Sequence, residues 1–272
     1  MPEAPEIRIM SDFINQNSKT NKFKKLFHVE KGNNAVDSNY DEYVVSADFY
    51  GKQLQLNFIN SQDTMNISVF MGMSGNWKLV PTQSWSDTKF TRMRLDRDDG
   101  MSLLLYGGYM GPKYKIGGFN TKRGFDIVKD FDKFKENVIS NINTKVFDKP
   151  ICEMLLDQRY FDGVGNYIRS TILYYLDVNP FESARDIIND NPNIFDMCRE
   201  VIEKSYTLNG GQLRDWQNPN PSLSSEEFHK WVFYQKGISC VDKTGRTFWF
   251  SEKWANECPY KIKKNRIDNE NI

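Results

Sequence analysis

The residues best placed for chemistry stand at the start of the chain. Pro2 follows Met1, and a small second residue allows removal of the initiator methionine, which would leave a secondary amine beside the carboxylate of Glu3. An α-amino group has a reference pKa of roughly 7.7–8, and partial burial lowers it, so neutral nitrogen becomes available near pH 7. Such an amine can attack an electrophilic carbon to give an iminium while a neighbouring carboxylic acid supplies protons. The same two residues also suit a plain helix start, where proline and acids are common.

A second constellation runs from Lys149 to Arg169. It reads as helix, a Gly163-Val164-Gly165 turn, and a further helix that Asn166 opens as an N-cap. Backbone N–H groups at such a turn can receive a phosphate, helped by the helix dipole. Taken alone, the Gly-x-Gly-Asn turn is explained as well by ordinary helix capping.

These residues need a scaffold. Ile7, Met10, Phe13 and Ile14 fall at helical spacing, so residues 3–16 read as one amphipathic helix. Loose alternation over 43–50, 53–59 and 65–70, and the segments 88–95 and 101–106 flanking Asp98-Asp99-Gly100, predict a series of short strands. Many short strands with turn signals imply a β-sandwich, and Gly117–Gly124 reads as the linker that closes it. Beyond it the period becomes helical, with candidates at 130–141, 150–159, 166–176, 192–208 and 224–234. A hairpin is expected at about 238–250, and the tail past Lys261 is expected to fray. The expected class is therefore α+β, with a β-sandwich domain over 1–124 and a helical domain over 125–272.

Composition narrows the function. The 272 residues carry 36 basic and 36 acidic side chains, so any nucleic-acid surface must be a local patch. The clearly basic stretch runs from Lys243 to Arg266. Cys152, Cys198, Cys240 and Cys258 form no C-x-x-C pair, which argues against a disulfide scaffold and against a four-thiolate zinc ribbon. With only His28 and His229, imidazole-based metal catalysis is not expected. No apolar run approaches membrane-spanning length, so a soluble, intracellular, monomeric protein without membrane partners is expected.

Met1-Pro2-Glu3, Gly72-Met73-Ser74-Gly75, Leu155-Leu156-Asp157-Gln158 with Gly163-Val164-Gly165-Asn166-Tyr167, Pro180-Phe181-Glu182, Ala184-Arg185 and Gly245-Arg246-Thr247-x-Trp249-Phe250 occur in this order. Together they resemble the formamidopyrimidine-DNA glycosylase/endonuclease VIII family, from Met1 to about Phe250. The resemblance implies a bifunctional glycosylase and abasic-site lyase of base excision repair, acting on oxidised pyrimidines, hydantoins and abasic sites in duplex and single-stranded DNA. It places the chain at DNA, in a nucleus, the cytoplasm or a viral factory; the lysine and asparagine richness suits an AT-rich genome such as that of a large DNA virus.

In that resemblance Pro2 attacks the anomeric carbon of the damaged nucleotide, expels the base and forms a Schiff base, from which β- and then δ-elimination follow. Glu3 protonates the sugar ring oxygen. Glu6 is a candidate supporting carboxylate bonding across to the helix–two-turn–helix, or else an exposed helix acid. Lys52 matches a hairpin lysine that assists elimination. Gly165 and Asn166, in the helix–two-turn–helix, and Arg246, at the tip of a C-terminal finger, match phosphate-binding positions. The finger lacks zinc ligands, so its hairpin would be held by Phe248, Trp249 and Phe250, and no metal or cofactor is expected.

A flipped nucleotide leaves a gap that needs a wedge. Met73 matches the family's void-filling methionine; as a strand residue it would instead be buried. Where relatives carry two further fillers, this chain has Gly107-Gly108-Tyr109-Met110-Gly111, so weak discrimination of the opposite base is expected, with Tyr109 as a stacking substitute. Arg214 and Trp216 lie where relatives cover the flipped base. The competing readings are a non-catalytic damage-binding protein, favoured by a retained Met1, and an RNA-processing lyase.

Overall fold

The computed structural model describes residues 2–28, 42–61, 63–86, 88–108, 110–211, 218–220 and 226–264. The chain divides into two compact units. The first comprises residues 1–121 and 206–228, and the second 122–205 and 229–272. The segment 206–228, read from sequence as part of the helical half, therefore belongs to the first unit.

Unit one opens with α1 (Ala4–Ser18). Its Ile7, Met10 and Ile14 are buried together with Phe13, the stripe expected of a helix laid on a core. Two four-stranded antiparallel sheets supply the rest. One has the order β1 (Phe23–His28), β6 (Thr91–Arg97), β7 (Met101–Tyr106), β5 (Asn76–Pro81); the other runs β2 (Val44–Tyr50), β3 (Gln53–Ile59), β4 (Thr64–Phe70), β8 (Lys113–Ile116). Leu54, Leu56, Phe58, Ile67 and Val69 from one sheet share a single core with Trp77, Met93, Leu95, Leu103 and Leu105 from the other, and α1 packs into it. This is a β-sandwich with a terminal helix.

The helix is pinned as well as packed. The Asn15 side chain donates to the carbonyl of Ala47 on β2 and accepts from its N–H, both at 2.9 Å. The Arg97 guanidinium donates to the carbonyl of Asn17 at 2.9 Å. These bonds satisfy polar groups that would otherwise be orphaned against the sheet, and they fix where the first residues of the chain sit.

Unit two holds α2 (Phe131–Asn141), α3 (Ile151–Met154), α4 (Asn166–Leu176), α5 (Ala184–Asp190) and α6 (Ile194–Thr207), the last ending in the first unit, and α7 (Glu226–Trp231) spans the other boundary. Phe134 lies at its centre, edge-on to Phe161 and Phe195 at 5.6 Å each. A three-stranded sheet of order β10 (Thr247–Phe250), β9 (Ile238–Val241), β11 (Ile262–Lys264) completes it. The hairpin is packed as expected around aromatics: Phe181 stands edge-on to Phe250 at 4.9 Å, and Phe248 stacks on Phe250 at 5.5 Å.

Three sequence expectations need correction. The helix expected over 150–159 stops at Met154, because the next side chains capture the backbone groups a helix would use. Asp157 accepts from the N–H of Arg159 at 3.1 Å, and the Gln158 amide donates to the carbonyls of Leu156 and Val164. Asn166 is the first helical residue and Gly165 is the N-cap. The tail past Lys261 is not frayed at its start, since Ile262–Lys264 pairs with β9.

Candidate active site and nucleic-acid interface

In unit one, Pro2 and Glu3 are both buried at the N-terminus of α1. Glu3 is the N-cap and forms a capping box with Glu6. Glu6 is buried in turn, and its two carboxylate oxygens serve two backbone donors. Oε2 accepts from the N–H of Glu3 at 2.8 Å, and Oε1 accepts from the N–H of Gly211 at 3.0 Å. Sequence reasoning left Glu6 either exposed or bonded towards the helix–two-turn–helix; it is buried and bonded within its own unit. Two acids at a helix N-terminus also sit at the favourable end of its dipole.

Gly210 and Gly211 lie in the connection that leads to Arg214 and Trp216, and the bond from Gly211 to Glu6 is not foreseen from the sequence. The signal for it was the glycine pair itself. Gly210 has φ +61°, and a Cβ there would meet Glu6 Oε1 at 2.5 Å, so the backbone approaches the carboxylate as closely as glycine permits. Nearby, the Tyr206 hydroxyl donates to Asp12 at 2.6 Å, and the Arg8 guanidinium lies over the Tyr206 ring at 3.7 Å. These contacts hold the returning segment against the polar side of α1.

Lys52 occupies the two-residue turn between β2 and β3, where Tyr50 pairs with Gln53 and Gly51 takes φ +55°. It is half-buried. Met73 is not a buried strand residue: it is 53% exposed, in the turn that follows β4. Its N–H donates to the carbonyl of Met110 at 2.9 Å, and Met110 is 60% exposed. A Cβ on Gly72 would meet that same carbonyl at 2.4 Å, so glycine allows the two loops to touch backbone to backbone. Both methionines are therefore exposed on loops that are bonded to each other through their backbones. Tyr109, Arg214 and Trp216 lie outside the described residues.

In unit two, Gly163 takes φ +108° and Gly165 caps α4. The Asn166 side chain is engaged at both ends: Nδ2 donates to the carbonyl of Thr247 at 2.7 Å, and Oδ1 accepts from Arg169. The structure thus joins Asn166 to the hairpin whose turn carries Arg246, an exposed side chain. Arg169 and Asp242, a fully buried ion pair at 2.7 Å, were not singled out in the sequence. Burial pushes the Asp242 carboxyl up, but the Thr244 hydroxyl, the Arg169 charge and the Arg246 N–H outweigh it and hold it below the usual carboxylate range.

The cysteines are less scattered than the sequence suggests. Cys152, Cys240 and Cys258 lie near enough for a charge on one to oppose ionisation of the others. Burial pushes the Cys152 thiol up to about 12 and raises Cys198 and Cys240 as well. Among the described residues, no group of three or more His, Cys, Asp or Glu side chains is arranged to hold a metal ion. No described helix is long and apolar enough to cross a membrane.

A β-sandwich with a terminal helix, joined in sequence to a helical unit with a finger hairpin, is the architecture of the Fpg (MutM) proteins. The MutM protein of Thermus thermophilus superimposes with a TM-score of 0.77 at 17% identity, covering 95% of this chain and all of that one. Endonuclease 8-like 1 of Mus musculus is 30% identical over 292 residues, and that of Homo sapiens 29% over 286; each alignment spans 92% of this chain and 72% of the relative. No family model matches the chain. On the sequence relatives, the chain belongs to the formamidopyrimidine-DNA glycosylase/endonuclease VIII family of DNA glycosylases.

Proposed function

We propose that this protein excises oxidised pyrimidines and related lesions from DNA and then cleaves the strand, using Pro2 as the nucleophile. The observation that carries the reading is the buried Pro2-Glu3 pair at the start of α1, held by the Glu6 carboxylate, in a chain of this family. With Met1 removed, the Pro2 nitrogen attacks C1′ of the damaged nucleotide and the base departs. A secondary amine can form only a cationic iminium, which acidifies the adjacent C2′ hydrogen, so the same residue serves the glycosylase and lyase steps. Glu3 supplies the proton that opens the sugar and receives protons afterwards.

Lys52, on its glycine turn, assists elimination beside a lesion-flanking phosphate. Gly165 and Asn166 at the N-terminus of α4, and Arg246 on the hairpin, bind backbone phosphates, the first two through N–H donors and the last as a charged fork. Met73 fills the space left by the extruded nucleotide. DNA affinity on this reading falls steeply with salt, because each neutralised phosphate releases counterions.

The test is borohydride trapping on an abasic-site duplex. Wild-type protein should give a covalent protein–DNA adduct, and Pro2→Gly carrying an N-terminal extension should give none. Failure of the wild type to trap, or full trapping by the extended variant, overturns the mechanism.

A further inference from the structure

Arg169 is fully buried on α4, on which Tyr167, Ile168, Ser170, Thr171, Ile172 and Leu173 are buried as well. A buried ion costs several kcal/mol unless its charge and donors are matched. Here the match is close. Nε and Nη2 donate to Asn166 Oδ1 at 3.1 and 2.7 Å, Nη1 donates to the carbonyl of Cys152 at 2.9 Å, and Nη2 pairs with the Asp242 carboxylate. The guanidinium also lies 4.7 Å over the Phe248 ring.

Asp242 continues the chain of bonds. Its Oδ1 accepts from the Thr244 N–H at 2.8 Å, the Thr244 hydroxyl at 2.6 Å and the Arg246 N–H at 3.1 Å. Its own N–H donates to the carbonyl of Arg246 at 3.0 Å. The circuit closes where the Asn166 amide donates to the carbonyl of Thr247. Two consequences follow from the geometry. The guanidinium dictates which way the Asn166 amide faces, oxygen inward and amino group towards the hairpin. The Asp242 carboxylate shapes the five-residue turn that carries Arg246.

We propose that Arg169 and Asp242 are positioning residues that set Asn166 and the Arg246-bearing turn in one register, so that the two act as a single phosphate-binding unit. The inference rests on the DNA-binding reading above but goes beyond it, because neither residue need touch the nucleic acid.

Binding to a duplex with a tetrahydrofuran abasic-site analogue tests it, measured at low salt by fluorescence anisotropy, with thermal melting in parallel. Arg169→Lys keeps a charge beside Asp242, but a compact ammonium cannot hold Asn166 and Cys152 together. It should weaken binding about tenfold. In an Arg246→Ala background, which keeps the Asn166 amide that Arg169 bonds, the same substitution should change binding by less than about threefold, because the charged group carried by the turn is gone. The loss in melting temperature should be the same in both backgrounds. Asp242→Asn, which preserves shape and removes the charge, should repeat the pattern if the lysine variant does not fold. Equal binding penalties in both backgrounds, or no penalty in either, would reduce the pair to a structural role and overturn the proposal. Wild-type protein that does not bind the duplex would overturn the proposed function itself, and this inference with it.

Discussion

Replacing Glu6 by glutamine is the sharpest probe of how the N-terminus is held. The carboxylate is 2% exposed and divides its oxygens between the N–H of Glu3 and the N–H of Gly211. Glutamine offers one oxygen and one NH2 group, so one backbone donor faces another donor whichever way the amide turns. A hydrogen bond to a charged acceptor contributes about 1.5–3 kcal/mol, and orphaning a buried donor costs about 1–3 kcal/mol; since these overlap, the expected destabilisation is about 3 kcal/mol. For a folding unit of this size that lowers the melting temperature by roughly 10 °C. Glu136→Gln, an exposed change on α2, should stay within about 0.5 kcal/mol. The functional consequence is larger than the folded fraction alone would give. The Glu3 N–H belongs to the peptide that joins Pro2 to the helix, so freeing it lets the nucleophile drift. The rate of borohydride-trappable adduct, measured at 25 °C on fully folded protein, should fall at least about tenfold. A melting temperature within about 2 °C of wild type, or an unchanged trapping rate, would refute the role assigned to Glu6.

Three further outcomes are expected. Gly210→Ala must adopt φ +61° and push its methyl towards a carboxylate already held by two bonds, so it should cost more than the roughly 1–2 kcal/mol of left-handed strain alone and lower both melting temperature and trapping; wild-type behaviour would show that the segment yields freely. The buried thiols Cys152, Cys198 and Cys240, all with raised pKa, should resist iodoacetamide at pH 8 in native protein, so intact mass should show at most one adduct, on the half-buried Cys258; prompt multiple alkylation would contradict this. Because the folded Asp242 pKa is depressed, its contribution to stability is present above the unfolded value of about 3.9 and is lost as pH falls through the folded value. Asp242→Asn should therefore lose melting temperature less steeply than wild type between about pH 5 and pH 2, and parallel curves would argue against it.

Much of the scaffold was legible because its signals are local. The apolar stripe of α1, the residues 166–176 of α4 behind their glycine turn, and the hairpin near 238–250 each follow from period or turn chemistry. Short edge elements were not. Lys113–Ile116 and Ile262–Lys264 carry little hydrophobic pattern and exist through pairing with β4 and β9. The early end of α3 was hidden because Asp157 and Gln158 look helix-compatible until their backbone partners are known. In the candidate site the chemistry-bearing Pro2, Glu3, Lys52, Asn166 and Arg246 stood out by motif. The residues that hold them did not. An arginine inside a helix and an aspartate before a turn gain meaning only when tertiary contacts bring Arg169 to Asp242, and the Gly-Gly pair signals a close approach without naming Glu6 as its partner.

The most direct measurement is peptide mapping, by mass spectrometry, of the borohydride-reduced adduct formed with abasic DNA. A deoxyribose remnant is expected on the nitrogen of Pro2, in a peptide from which Met1 has been removed. An adduct on Lys52 or any other lysine, or strand cleavage by protein that retains Met1, would contradict it.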